Sequence, residues 1–320
     1  MAGETRLTIP LVDFAPFLTD DPSGQKRVAK EIYQACHEVG FLYLINHGIP
    51  QAQISRAFEE SRQFFNLPMA QKQEISWSNE LSNRGYVGVE RERLDETQPG
   101  DLKEAFNMGK EVTQAEAAKT GASLVLNRWP EGQDEFRMVI NEFFKVCATS
   151  AARVFRAFAI ALSIPETFIA DKHRKHNYTL RLLHYPPLSV APKPGQIRAG
   201  AHSDYGTLTL LFQDDVGGLE VLNTEGQWIS APSVPGAVLI NTGDLTERWS
   251  NDVFRSTKHR VGLPQPEKAE RDRYSIAFFC QPDAEAEIAC LPSCQSEEHP
   301  PKYPPVTSGE YLLSRLQATY

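Results

Sequence analysis

Three residues, His202 and Asp204 in AHSDYG and His259 in TKHRVG, supply two imidazoles and one carboxylate. Side chains two residues apart on a β-strand point to the same face, so a strand through 202–204 aims both donors into one cavity. A later strand has only to bring His259 alongside. Two neutral imidazoles and one carboxylate on one side of a divalent ion, with the remaining positions open, suit Fe(II) in oxygen chemistry. His-x-Asp alone is a weak signal, because a chain with eight histidines often places one two residues before an acid.

The elements around these residues strengthen the reading. After GTLTLLFQDDVGGLEVL come the turn NTEGQW, the apolar run GAVLINTGD, then RSTKHRVGL and RYSIAFFCQP. Short β-branched and aromatic segments punctuated by Gly, Asn and Pro predict a mainly β fold with helical additions, a double-stranded β-helix or jelly roll, with the metal residues on strands. In the last strand the period of two puts Arg273, Ser275, Ala277 and Phe279 on one face. An inward guanidinium needs an anion: its planar fork matches a carboxylate, and the serine hydroxyl adds one more donor. TLRLLHYPP likewise puts Arg181, Leu183 and Tyr185 on one face, and a tyrosine hydroxyl would complete the cradle. The bland alternative pairs Arg273 with a nearby surface acid such as Asp272 or Glu270.

At 320 residues and 41% hydrophobic, the chain can bury one large core. It reads as a single domain over 1–320, with a sheet-poor helical and loop region at 1–133 and, at 134–320, a bracing helix, the jelly-roll core with the metal site and a C-terminal helix. Apolar residues recur at three- and four-residue spacing in SGQKRVAKEIYQACHEVG, PQAQISRAFEESRQFFN and DEFRMVINEFFKVCATSAARVFRAFAIALSI, which predicts helices. The charged, turn-rich segment from 87 to 133 reads as a long excursion with Tyr86 and Phe106 as lid contacts. SGEYLLSRLQATY predicts the last helix.

Composition excludes several function classes. Five cysteines at 36, 147, 280, 290 and 294 make no disulfide framework, and reduced thiols point to the cytoplasm. Cys280 faces away from Phe279 and reads as packing. A formal charge of −8 weighs against a nucleic-acid partner, and no apolar run approaches the length of a membrane span. The run from Lys172 to His176 reads as a solvated turn, and His37, His47, His184 and His299 read as structural. A small molecule is the expected partner.

RLLHYPP at 181–187, HSDYGTLTLL at 202–211, GDL at 243–245, HRV at 259–261 and RYS at 273–275 together resemble the isopenicillin N synthase-like branch of the 2-oxoglutarate and Fe(II)-dependent oxygenases. IPLVDF, GFLYLINHGIP and the run into FFNLP extend the resemblance to the N-terminal part. It implies that His202, Asp204 and His259 hold iron, while Arg273, Ser275 and Tyr185 hold the distal carboxylate of 2-oxoglutarate, with O2 as oxidant. Leu183 stands where many plant members have Asn, a position that is not a metal ligand. Within the branch, NRGY at 83–86, GQIRAG at 195–200, LLFQD at 210–214, RWSND at 248–252 and RYSIAFFC at 273–280 resemble the thymine 7-hydroxylases. That likeness implies a planar or cyclic substrate such as thymine, with Tyr205 and Phe279 sandwiching the ring and Arg181 hydrogen-bonding its carbonyls.

Rival readings use the same residues differently. A non-enzymatic barrel could sense a metal or keto acid, but no DNA-binding or partner module is attached. A zinc hydrolase could use the same three ligands, but the sequence offers no obvious general base beside them. An oxidase or hydroxylase of the same family could act on a natural product, with or without 2-oxoglutarate.

Overall fold

The computed structural model describes residues 8–19, 21–77, 83–119, 126–188 and 191–319. In chain order the elements begin with β1 (Leu11–Asp13), α1 (Pro22–Glu38), β2 (Phe41–Ile45), α2 (Gln51–Phe65), α3 (Met69–Glu74), β3 (Gly85–Val87), β4 (Glu104–Met108), α4 (Gln114–Lys119) and α5 (Asp134–Ala161). There follow α6 (Phe168–Asp171), β5 (Tyr178–Tyr185), β6 (Ala199–His202), β7 (Leu208–Gln213), β8 (Leu219–Leu222), β9 (Trp228–Ser230), β10 (Ala237–Thr242) and α7 (Asp244–Trp249). The last are β11 (His259–Val261), β12 (Arg273–Cys280), β13 (Glu287–Ile288), β14 (Val306–Thr307) and α8 (Ser308–Thr319).

Two sheets form the jelly roll. The larger has the order β1-β2-β10-β7-β12-β5-β4-β3, and the smaller β6-β11-β8-β9. Alternation along the strands sends one set of side chains between the sheets and the other toward the helices. Phe41, Leu183, Leu219, Val221, Leu239 and Val261 lie between the sheets. Leu180, Leu182, Phe212, Ile276 and Phe278 go to the helical side.

The helices form for local reasons and stay for tertiary ones. Asp21 caps α1 by accepting from the Ser23 amide at 3.1 Å, with Pro22 at the first helical position. Val28, Ile32 and Cys36 then recur on one face and are buried. On α5, Phe143 meets Phe212 with ring centroids 5.2 Å apart, and Phe144 meets Phe278 at 5.2 Å, both edge-on. Each buried phenylalanine contributes about 1.5–3 kcal/mol through area removed from water. Cys280, beside Phe278 on this strand, is buried with Cys147, as its packing reading requires.

The stretch expected as helix and loop also supplies strands. β2 pairs antiparallel with β10, and β4 with β5, so residues before 133 complete the large sheet. FLYLI and EAFNM are buried on both faces and lack the apolar–polar alternation that marks a half-exposed strand. Tyr86 and Phe106 are not lid contacts. They face the helices, 2% and 0% exposed, where Phe106 packs on Phe64 and Phe136 and the Tyr86 hydroxyl donates to Glu104 at 2.5 Å. Residues 120–125 of the expected excursion lie outside the described residues. Among the described residues no helix is long and apolar enough to cross a membrane.

Candidate active site

β6 ends on His202 and β11 begins on His259, and the two histidines are direct cross-strand partners. Their rings lie 4.3 Å apart at 52°. Asp204 falls just past β6, in a turn and not on a strand, so shared strand faces account for the two imidazoles but not for the carboxylate. The start of α7 holds that turn. The Asp244 amide donates to the Asp204 carbonyl at 2.7 Å and the Leu245 amide to the Gly206 carbonyl at 3.2 Å. A Cβ at Gly243 would stand 2.4 Å from the Gly206 carbonyl oxygen, so only glycine admits this approach.

Asp204 Oδ1 lies 4.0 Å from His202 Nε2 and 3.7 Å from His259 Nε2. Its other oxygen accepts from Thr209 Oγ1 at 2.5 Å and Asn241 Nδ2 at 2.6 Å, which turns Oδ1 toward the imidazoles. His202 Nδ1 is 2.8 Å from the Gly200 carbonyl and His259 Nδ1 is 3.2 Å from that of Thr257. A carbonyl only accepts, so Nδ1 donates in each ring and Nε2 is the nitrogen turned toward a metal. Burial pushes His202 down to about 3, and the neighbouring His259 adds to the shift. Burial works to raise Asp204, but His259, His202 and the bonds from Asn241 and Thr209 outweigh it and hold the carboxyl below its usual value. Two imidazoles and a carboxylate, with ligand atoms within 4.8 Å of one another, could hold one divalent ion. This donor set fits iron with open positions.

The same cavity contains an arginine with no acid in direct contact among the described residues. Arg273 is 1% exposed, and its Nη2 donates to Gln213 Oε1 at 3.0 Å and its Nη1 to Ser275 Oγ at 3.4 Å. Its guanidinium lies 4.6 Å from the Tyr185 ring centroid, so Tyr185 meets it face-on. Nε has no partner, and among the described residues no carboxylate comes within ion-pair distance of Arg273, neither Asp272 nor Glu270; Asp214 feels its charge but is bonded to the Tyr274 and Val216 amides. Asp272 instead binds His184 Nε2 at 2.6 Å, on the opposite side of the sheet. A buried, unpaired cation is costly. Its place on the cavity wall makes a ligand carboxylate the natural partner.

At the other end the charges are already matched. Arg181 grips Glu92 with two bonds, 3.0 and 2.8 Å, and Lys103 bonds Glu92 at 2.9 Å and also Asp101. Burial alone would lower Lys103, but Glu92 and Asp101 more than offset it and hold the ammonium above its ordinary value. Asp101 also accepts from the Gly200 amide at 2.9 Å, which ties this cluster to the strand of His202. Tyr205 and Phe279 line this end, and Phe279 stands directly across from Thr209. From α8, Leu312 and Leu316 close the wall, and Arg315 sits 5.1 Å over the Tyr205 ring.

Known proteins agree with this geometry. Residues 9–132 match the family described as non-haem dioxygenase in morphine synthesis N-terminal, and residues 176–282 the 2OG-Fe(II) oxygenase superfamily. A 2-oxoglutarate-Fe(II) type oxidoreductase of Metarhizium majus is 35% identical, spanning 100% of this chain and 97% of that protein. The chain belongs to the 2-oxoglutarate and Fe(II)-dependent oxygenases. Among solved structures, Neurospora crassa thymine 7-hydroxylase with α-ketoglutarate and thymine matches this oxygenase at TM-score 0.88 and 36% identity, over 99% of each chain. Its complex with 5-formyluracil matches at 0.87 and 38%, over 99% of this chain and 98% of that one. The oxygenase is therefore an oxidoreductase that uses Fe(II), 2-oxoglutarate and O2, not a zinc hydrolase or a sensor barrel.

The nine residues expected to hold metal, co-substrate or substrate, His202, Asp204, His259, Arg273, Ser275, Tyr185, Arg181, Tyr205 and Phe279, line one cavity of the oxygenase, unlike the expected lid contacts Tyr86 and Phe106. Sequence reasoning missed Thr209, Gln213 and Asn241, although each is a polar residue at an inward period-two position of an apolar strand. It also missed Asn83, Glu92, Lys103, Asn107, Leu312 and Leu316, which come from distant segments.

Proposed function

We propose that this oxygenase oxidises a small, neutral, planar ring of the pyrimidine kind, thymine or a close relative. In this reading His202, Asp204 and His259 hold the iron, and Arg273, Ser275 and Tyr185, with Gln213, hold the distal carboxylate of 2-oxoglutarate. The carrying observation is the buried Arg273 guanidinium, with no acid at ion-pair distance among the described residues, on the wall of the cavity that holds the three ligands. Fe(II) with 2-oxoglutarate supplies oxygen activation, the co-substrate leaving as succinate and carbon dioxide while the substrate is oxidised.

The chain's own residues bind, orient and exclude water. Thr209 and Asn241 fix Asp204, and Gly200 and Thr257 fix the two imidazole rings. Tyr205 and Phe279 offer ring faces for a flat molecule. Arg181 is a donor for a carbonyl, and Glu92 has already neutralised it. With two cations and two anions in the cluster of Arg181, Lys103, Glu92 and Asp101, a polar but uncharged substrate suits this end better than an acid. The α8 leucines shut out water, so a single C–H bond is held beside the metal. The free thiols of all five cysteines support a cytoplasmic place.

The test is an anaerobic absorption spectrum of the protein with Fe(II), with and without 2-oxoglutarate, followed by thymine and uracil. A visible band that needs both iron and 2-oxoglutarate, and shifts with a pyrimidine, is expected, as is succinate release matching oxygen uptake. A band that ignores every pyrimidine sinks the substrate assignment and leaves the cofactor chemistry standing.

A further inference from the structure

Asn107, on β4, is 1% exposed and faces the cavity, yet its Oδ1 has no hydrogen-bond partner. Buried amide oxygens are rarely left so, and each exception calls for a physical reason. Its Nδ2 donates to Asn83 Oδ1 at 2.7 Å, which points the carbonyl oxygen the other way. Asn83 takes up that position with φ at 43°, a left-handed conformation that asparagine tolerates better than most residues. Asn107 is also the direct cross-strand partner of Arg181. Such partners stand about 4.5–5.5 Å apart, so an acceptor and a donor address neighbouring positions on one edge of a ligand. Two further buried amide oxygens lack a partner: Gln53 Oε1, which does not line the cavity, and Gln281 Oε1, which lines it but is packed against Gly206, where a Cβ would meet it at 2.7 Å.

We propose that Asn107 is a specificity-determining residue, its Oδ1 accepting from a substrate ring N–H while Arg181 donates to the adjacent carbonyl, so that the pair reads the –CO–NH– edge of a cyclic amide or imide. The inference deepens the proposed function and rests on it. An isolated carbonyl on the ring does not satisfy the pair, and neither does a ring nitrogen carrying a methyl group. The orphan oxygen is a cost to the ligand-free protein, kept for what it does when substrate is present.

The test compares thymine with its N1-methyl and N3-methyl derivatives on wild type, Asn107→Leu and Asn107→Asp, reading kcat/KM from oxidised product. The anaerobic band with Fe(II) and 2-oxoglutarate reports that each variant is folded and loaded. Wild type is expected to lose about 10- to 100-fold on one methylated derivative. Asn107→Leu should lose a similar factor on thymine and no longer distinguish that derivative, whereas Asn107→Asp, which keeps acceptor oxygens, should retain the preference. Thermal unfolding of the substrate-free protein adds a readout that a structural role would move: Asn107→Leu is expected to melt no lower than wild type. A variant that melts several degrees lower while still discriminating N–H from N–CH3 overturns the inference and leaves the pyrimidine reading intact. Wild type that turns over no pyrimidine overturns both.

Discussion

The two ends of the cavity hold buried cations in opposite states. At the 2-oxoglutarate end the groups that touch Arg273 among the described residues are neutral, Gln213, Ser275 and the Tyr185 ring. At the substrate end Arg181 and Lys103 are matched by Glu92 and Asp101. An unpaired buried charge is a standing demand for a counter-ion, whereas a matched one is a fixed dipole that orients a neutral molecule. The first end is therefore built for a co-substrate of constant charge, the second for shape and hydrogen bonding.

Arg273→Leu should break the first half of this contrast and produce the largest effect. Loss of a buried charge pair is worth about 3–5 kcal/mol, so KM for 2-oxoglutarate should rise by about 10²- to 4 × 10³-fold. Stability moves the other way: without 2-oxoglutarate the variant is expected to melt no lower than wild type, because an unpaired charge has been removed. Wild type alone should gain melting temperature on saturation with 2-oxoglutarate, as binding to the folded state requires. Melting curves with and without 2-oxoglutarate check both signs, and a sharp fall for the unliganded variant would mean that Arg273 is paired within the protein.

Glu92→Gln probes the matched end, where the signs reverse. Removing one partner of a buried pair leaves Lys103 with Asp101 and takes from Arg181 the ionised carboxylate that grips it, at a stability cost of about 3–5 kcal/mol. The variant should melt lower, keep its KM for 2-oxoglutarate and lose about 10-fold in kcat/KM for a neutral pyrimidine. With one net positive charge gained, a pyrimidine bearing a carboxylate should improve relative to thymine. Equal losses on both substrates would remove charge matching as the basis of selection.

Legibility in the sequence follows the same division. RYSIAFFC and TLRLLHY show their period of two openly, so Arg273, Ser275, Phe279, Arg181 and Tyr185 could be placed on the inner face from spacing alone. The histidines follow from strand pairing, and Asp204 from the resemblance more than from geometry, since a turn carries it. The substrate end is different because its partners are remote: 89 positions separate Arg181 from Glu92, and 24 separate Asn107 from Asn83. Nothing in ERERLDETQPGDLKE distinguishes acids that will be buried from acids that stay in water. Tyr86 and Phe106 misled for a related reason, since an aromatic in a charged stretch suggests a lid although here it anchors a two-sided strand to the core.

The smallest effect sharpens the contrast from outside the barrel. Leu316 of α8 is half-buried on the cavity wall at the substrate end, in a segment far in sequence from the metal ligands. Leu316→Ala removes apolar area worth about 1 kcal/mol, so substrate KM should rise about 5-fold while KM for 2-oxoglutarate stays unchanged. Its more telling readout is coupling. A gap in this wall admits water beside the metal when substrate sits loosely, so the ratio of succinate formed to substrate oxidised should climb above one. Unchanged coupling would make α8 a cover over Tyr205 that plays no part in keeping the reaction dry.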